Sequence, residues 1–302
     1  MKNKISVIFI LLAGAFWGSS CLFVSKLSAL GFTPLQCTAI RIALGAVILN
    51  AALIIKGRGF RYYRISLSSL ALAATSGICS VLAMCVFYYY CMTMAGAAVS
   101  AILLYTAPIF VMIMSVIFFK ERMTVRKIAA FTVAIAGCAL VSGIASGVSI
   151  NALGILCGVL SGFAYSLYGI LTSFYMRRNS EPLSFSALSF AFAAVGALAL
   201  ANPVDIVIKA VNVESMNTVP LVAFFILFSL CTSVIPYVLY TAGLTGVRPD
   251  VASILAFSEP LTAALFGIAV LRQPFDIWQG LGIALVVTAI VILNISPKGK
   301  KT

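Results

Sequence analysis

Histidine is absent from the 302 residues, acidic residues number only 7, and charged residues of both signs make up 9%. Without histidine there are no zinc-hydrolase sites, histidine proton relays or histidine-ligated haems of the usual kind. The eight cysteines, at positions 21, 37, 79, 85, 91, 138, 157 and 231, show no paired metal-type spacing, so they read as free thiols packed as small hydrophobes. No metal and no cofactor is expected. Intramembrane proteolysis would need a serine with histidine or lysine, or paired aspartates, and Asp205, Asp250 and Asp276 all fall in or at the edge of loops. Catalysis therefore has no visible equipment, which leaves non-enzymatic classes, a scaffold or receptor among them.

The shortage of charge also excludes water as the main solvent, because soluble domains carry roughly one quarter charged residues. Hydrophobic residues fill 63% of the chain. Their runs recur about every thirty residues, and most reach the ~20 residues that a helix needs to cross a ~30 Å hydrocarbon core. Ten spanning helices are predicted, at 5–26, 33–55, 67–92, 97–119, 125–144, 152–174, 183–201, 219–243, 250–271 and 276–296. The fold class is an all-α membrane protein, with the lipid bilayer as its surroundings. Met1 to Lys4, the apolar run and Ala13-Gly14-Ala15 resemble a cleavable signal peptide. The apolar run, however, continues through Trp17 to Val24.

A net charge of +13 suggests nucleic acid only until it is read by position. Lys2, Lys4, Lys56, Arg58, Arg61, Arg64, Lys120, Arg122, Arg126, Lys127, Arg177, Arg178, Arg248, Lys298, Lys300 and Lys301 share one side of the ten-span topology, whereas Lys26, Lys209 and Arg272 share the other. By the positive-inside rule both termini are expected in the cytoplasm, with no nucleic-acid partner and with a bacterial inner membrane as the expected location.

The chain reads as a duplication. At a shift of 148, Gly14, Trp17, Gly18 and Pro34 fall opposite Gly162, Tyr165, Ser166 and Pro182. At a shift of 152, Tyr88, Pro108 and Lys120-Glu121 fall opposite Tyr240, Pro260 and Arg272-Gln273. Halves 1–150 and 151–302 with five spans each must enter the membrane from opposite sides. Two inverted five-helix repeats of this kind recur in transporters with a site near the midplane.

Phe16-Trp17-Gly18-Ser19-Ser20, Arg41, Tyr105-Thr106-Ala107-Pro108, Lys120-Glu121-Arg122 and Ser258-Glu259-Pro260 resemble EamA-type members of the drug/metabolite transporter superfamily. The resemblance covers nearly the whole chain in order. It implies a ten-helix carrier of a small organic solute (an amino acid, metabolite or drug-like compound), with export as the direction. One departure is Leu271-Arg272-Gln273, where the family often has a glutamate.

Polar groups within the spans carry the remaining information. Arg41 and Glu259 are the only charges well inside them, each at a cost of roughly 2.5–3.5 kcal/mol on the insertion scale. One reading makes Glu259 a proton-linked or cation-binding group, with Arg41 as its partner or as an anchor for a substrate carboxylate. The other makes them a structural ion pair. Their depths agree to within about one helical turn, so a direct approach is expected. Lys26 either reaches the cavity mouth or snorkels to the interface. Trp17 with Tyr165, Tyr88 with Tyr240, and Tyr105 with Phe257 are candidate cavity walls or ordinary packing. Gly14 and Gly18, and Gly154, Gly158 and Gly162, form stripes for close helix contact. Pro108 and Pro260 are expected to kink their helices. Trp278 reads as an interfacial belt residue. Alternating access around a midplane cavity is the expected mechanism, with protons open as the coupling ion. Phosphorylated solutes fit poorly, because the spans offer few cations.

Overall fold

The computed structural model describes residues 2–55, 66–141, 151–178, 181–213, 217–272 and 277–294. Lys56, Arg58, Arg61, Arg64, Gln273, Asp276, Lys298, Lys300 and Lys301 lie outside the described residues. The elements are α1 (Lys2–Gly18), α2 (Ser20–Ala29), α3 (Pro34–Leu53), α4 (Leu67–Thr75), α5 (Ala83–Ala95), α6 (Ala97–Leu104), α7 (Ala107–Phe119) and α8 (Val125–Val141). They continue as α9 (Ala152–Arg178), α10 (Pro182–Ala201), α11 (Pro203–Val211), α12 (Thr218–Ser229), α13 (Ile235–Gly243), α14 (Pro249–Leu255), α15 (Ser258–Ala269) and α16 (Ile277–Asn294). No strand occurs among the described residues. Lipid enforces this choice, since only helices satisfy every backbone polar group within a single segment.

Among the described residues, eight stretches are long and apolar enough to cross a membrane: Lys4–Ala29, Pro34–Leu53, Leu67–Ala95, Val99–Phe119, Ala152–Arg177, Pro182–Ala201, Thr218–Gly243 and Pro249–Ala269. Two of the ten expected stretches are not among these eight: α8, and α16, whose Gly280–Ile292 is a shorter apolar helix; α8 and α16 lie along each other. Their contact is close: a Cβ on Gly137 would sit 2.7 Å from the Gly282 carbonyl oxygen. Large apolar side chains such as Val47, Ile117 and Val195 are exposed, while Ser76, Ser100, Ser186 and Thr241 are fully buried. This is the distribution expected of a surface facing lipid and an interior that holds the polar groups.

The two halves interleave. α1 packs against α13 and α15, α9 packs against α5, α6 and α7, and α3 lies along α10. Backbone irregularities recur at a shift of about 152. A π-helical turn at Ser76–Leu82 joins α4 to α5, and another at Leu230–Val234 joins α12 to α13. The chain breaks at Tyr105-Thr106 between α6 and α7, and again at Ala256-Phe257 between α14 and α15. Lys120 and Arg272 both take the left-handed conformation, with φ of 52° and 53°.

The prolines do more than kink. Pro108 lacks the N–H that would reach the Leu104 carbonyl, and the predicted helix divides there into α6 and α7. The same division separates α14 from α15 just before Pro260. Two features were not expected. Ser19 interrupts the first span, its hydroxyl turned back onto the Phe16 carbonyl at 2.7 Å. α11 forms in a predicted loop, started by Pro203 and capped by the Asn202 side chain on the Asp205 N–H at 3.4 Å. Val204, Val207, Ile208 and Val211 are exposed on α11, an apolar set suited to an interfacial position.

Candidate functional site

The breaks in α6/α7 and α14/α15 bring irregular backbone together in the interior. The Tyr105 and Phe257 rings meet there at 5.6 Å between centroids. Beside them is a cavity lined by Leu104, Tyr105, Ala107, Pro108, Tyr165, Ser253, Ala256, Phe257 and Glu259. Its volume of about 10 Å³ accommodates roughly one water. Glu259 lies in the first turn of α15, where the helix dipole favours negative charge. Among the described residues its carboxylate has no ion pair within 4 Å and no side-chain hydrogen bond. The Tyr165 hydroxyl, on the same cavity, is also buried without a hydrogen-bond partner. Buried polar groups are nearly always satisfied, so the unpartnered Tyr165 hydroxyl, beside a half-buried carboxylate with no ion pair, marks a place for a polar guest.

The expected direct pairing of Arg41 with Glu259 does not form. Arg41 on α3 donates instead from Nη1 to the Ser233 hydroxyl at 3.3 Å and from Nη2 to Cys85 Sγ at 3.1 Å. Ser233 belongs to the second π-helical turn and Cys85 follows the first, and such turns re-aim side chains toward functional space. Glu259 still lies within reach of the Arg41 field. Similar depth did not become contact, because Arg41 points toward α5 and the α12/α13 turn whereas Glu259 faces the α6/α7 break.

Rings cluster beside the cavity. Trp17 meets Tyr165, Tyr237 and Tyr240 at 6.1, 5.2 and 5.4 Å between centroids. Tyr168 packs on Tyr237 at 4.9 Å, and its hydroxyl lies 2.9 Å from Thr241 Oγ1. The structure thus joins Trp17, Tyr165 and Tyr240, pairs Tyr105 with Phe257, and places Tyr88 within the field of Glu259. Lys26 is exposed in the last turn of α2, and Trp278 is also exposed. Tyr168 and Tyr237 were missed, although each lies three residues from a chosen tyrosine and so shares its helix face.

The glycine stripes make the close contacts. A Cβ on Gly14 would sit 2.0 Å from Ser258 Oγ, and one on Gly18 would sit 2.5 Å from the Glu259 carbonyl oxygen. On the other side, Gly158 abuts Leu103, and a Cβ on Gly162 would sit 2.8 Å from both the Leu103 carbonyl oxygen and Thr106 Oγ1.

A second polar cluster lies where α7, α8, α9, α13 and α14 end together, here called the basic end. Lys127 pairs with Asp250, both almost fully buried, and donates to the Arg122 carbonyl at 3.0 Å. Arg248 Nε lies 2.7 Å from Glu121 Oε2 and 3.7 Å from Asp250 Oδ1. Burial, together with the Asp250 carboxylate, holds the Glu121 carboxyl above its ordinary range against the pull of Arg248, Lys127 and Arg177. A recess of about 640 Å³ adjoins the cluster, lined by Glu121, Ser173, Met176, Arg177 and residues Leu244 to Pro249. None of these ionic contacts was foreseen, because the four charges read as residues of loops or span ends.

The EamA-like transporter family model matches residues 4–143 and 152–295. The chain belongs to the EamA-like transporter family. YwfM of Bacillus subtilis (strain 168), an uncharacterized transporter, is 26% identical over 100% of this chain and 98% of its own. An uncharacterized transporter of Archaeoglobus fulgidus is 25% identical over 95% of this chain and 97% of its own. A solved crystal structure shares the fold at 17% identity, with a TM-score of 0.77 over 96% of both chains. This EamA-like protein is therefore an integral membrane protein and a transporter. All eight of its cysteines are free.

Proposed function

We propose that this EamA-like transporter moves a small organic solute by alternating access, and that it works as an exporter with Glu259 as the proton-linked group. The solute is neutral, zwitterionic or hydrophobic, of amino-acid, metabolite or drug-like size. The reading rests on one observation: Glu259 and Tyr165 line the same one-water cavity, the Tyr165 hydroxyl is buried without a partner, and among the described residues the half-buried Glu259 carboxylate has no ion pair. A proton, a water or a polar group of the solute would satisfy both. Surrounding rings supply apolar area with polar tips, which suits amphipathic solutes. A cavity this small corresponds to a closed state between two open ones.

Two inverted repeats, 1–150 and 151–302, fit this mechanism. Support comes from the recurrence at a shift of about 152 of the π-helical turns, the helix breaks and the left-handed residues. The charge asymmetry of the loops supports both termini and the basic end facing the cytoplasm of a bacterial cell.

A thermal-shift panel of amino acids, nucleosides and cationic dyes should identify a stabilising class. Proteoliposomes loaded with that class and given a pH gradient test the rest. Wild-type protein is expected to accumulate the solute uphill. Uptake that equilibrates identically with and without the gradient would remove proton coupling, and no uptake of any stabilising solute would remove transport of that class.

A further inference from the structure

We infer that Glu121, Lys127, Arg248 and Asp250 form an ionic latch that holds the basic end shut, and that the described residues of the opposite end hold no equivalent. The inference rests on the alternating-access reading above. Glu121 and Lys127 come from the first half, Arg248 and Asp250 from the second, so the Lys127–Asp250 and Arg248–Glu121 contacts tie one half to the other, while Lys127–Glu121 and Arg248–Asp250 each lie within one half. The inner pair, Lys127 with Asp250, is no more than 4% exposed on either side chain. The outer pair is looser. Arg248 is half exposed, and Glu121 Oε2 has no aligned hydrogen-bond donor despite the 2.7 Å approach of Arg248 Nε.

α14 connects this cluster to the cavity. It is a seven-residue helix between Pro249 and the break at Ala256-Phe257. Asp250 stands in its first turn. One turn later the Ser253 hydroxyl donates to the Asp250 carbonyl at 2.9 Å, and Ser253 lines the cavity with Glu259. A short lever thus carries the latch at one end and part of the cavity wall at the other. Release is feasible because the freed charges would meet water in the adjoining recess of about 640 Å³, whereas the same charges facing lipid could not separate.

The asymmetry is written in the sequence. At a shift of 152, Glu121 and Lys127 correspond to Gln273 and Gln279, and Arg248 and Asp250 correspond to Gly96 and Ala98. All four charges become neutral. The opposite end is joined through Gln36, which donates to Asp205 at 2.5 Å and accepts from Lys209 at 3.2 Å. Asp205 and Lys209 are 43% and 32% exposed, so solvent screens that tie and water competes for it.

The test uses the full chain in liposomes with its native cysteines replaced and one cysteine introduced at Leu104, on the cavity wall. A second protein with its cysteine at Thr245 reports which face of the vesicle carries the basic end. Labelling by a membrane-impermeant thiol reagent is timed from each side. The neutral pair Lys127→Met/Asp250→Leu is expected to raise labelling from the basic end about tenfold and to lower it from the other. Arg248→Gln, at an exposed position that leaves folding intact, is expected to shift labelling the same way by less. The exchanged pair Lys127→Asp/Asp250→Lys is expected to keep the wild-type rate. Wild-type labelling from both sides, with neutral-pair and Arg248→Gln rates unchanged, overturns the latch alone. An exchanged pair that labels like the neutral pair also overturns it, since charge pairing would then not be what holds the end. Wild-type labelling from one side only, whatever the solute gradient, overturns alternating access and the latch with it.

Discussion

Gly14 in the first half and Gly162 in the second meet the same groups. Gly14 approaches Ser258 Oγ and the Ala256 carbonyl, and Gly162 approaches Thr106 Oγ1 and the Leu104 carbonyl, which are the corresponding positions at a shift of 152. Beyond the backbone the halves part company. Glu259 corresponds to Ala107, Arg41 to Ser189, and the four charges of the basic end to neutral residues. Where the halves agree, the shared feature is a turn, a break or a close helix contact, as the proposed rocking of two units would require. Chemistry sits where they disagree. A perfectly symmetric carrier would have no preferred end and one proton site in each half, so the disagreements are where direction and coupling can be encoded.

The largest effect expected from breaking this asymmetry is at Glu259. Glu259→Gln should reduce uphill solute accumulation in proteoliposomes to the level of protein-free vesicles, while solute equilibration persists. Moving the carboxylate across, as Glu259→Ala/Ala107→Glu, should not restore it, because the position matching Arg41 is Ser189. Recovery of accumulation by the moved carboxylate would show that the halves are chemically interchangeable.

Next comes the inner pair of the basic end. Lys127→Met leaves the buried Asp250 with only the 3.7 Å contact of half-exposed Arg248 and should cost about 3 kcal/mol of stability in detergent. Lys127→Met/Asp250→Leu should regain most of that loss, because two apolar side chains replace a desolvated pair. Additive losses in the double variant would mean that the two charges do not depend on each other.

The difference between what was and was not legible follows from the solvent. Lipid imposes length and composition on each span, so the helical stretches and the cost of Arg41 and Glu259 could be read residue by residue. Depth was readable too, at 1.5 Å per residue, but azimuth was not. That is why Arg41 was expected on Glu259 and lies instead on Ser233 and Cys85. Lys127, Glu121 and Arg248 were hidden differently. Their position next to span ends made them look like topology signals, and nothing local in a sequence distinguishes a solvated loop lysine from one paired inside. The break at Ser19 has no proline to announce it, and α11 is shorter than any pattern expected of a span.

A smaller effect tests how tightly the halves pack. Gly18 lies against the Glu259 carbonyl, yet its counterpart Ser166 carries a side chain, bonded back to the Phe163 carbonyl. Gly18→Ser should therefore cost about 1–3 kcal/mol through overpacking against α15. Ser166→Gly should cost less than about 1 kcal/mol, from helix propensity alone. Equal losses in thermal unfolding would mean that α1 and α9 sit equally close to their partners.

The smallest change separates two tyrosines on one helix. Tyr165 and Tyr168 are three residues apart on α9, both in the ring cluster beside Trp17, Tyr237 and Tyr240. Their hydroxyls differ. Tyr168 Oη lies 2.9 Å from Thr241 Oγ1 and 3.4 Å from Ser186 Oγ, whereas Tyr165 Oη is buried with no partner. Removing a satisfied hydroxyl loses a bond and strands its partner, so Tyr168→Phe should lower stability by about 1 kcal/mol and leave the apparent KM for solute unchanged. Removing an unsatisfied hydroxyl relieves a desolvation penalty, so Tyr165→Phe should be neutral or stabilising within about 1 kcal/mol. If that hydroxyl meets the solute or its water, Tyr165→Phe should raise the apparent KM while the protein stays folded. A destabilised Tyr165→Phe would reveal a protein partner and remove the unsatisfied hydroxyl that marks the cavity. An unchanged KM with unchanged stability would place the solute away from this hydroxyl.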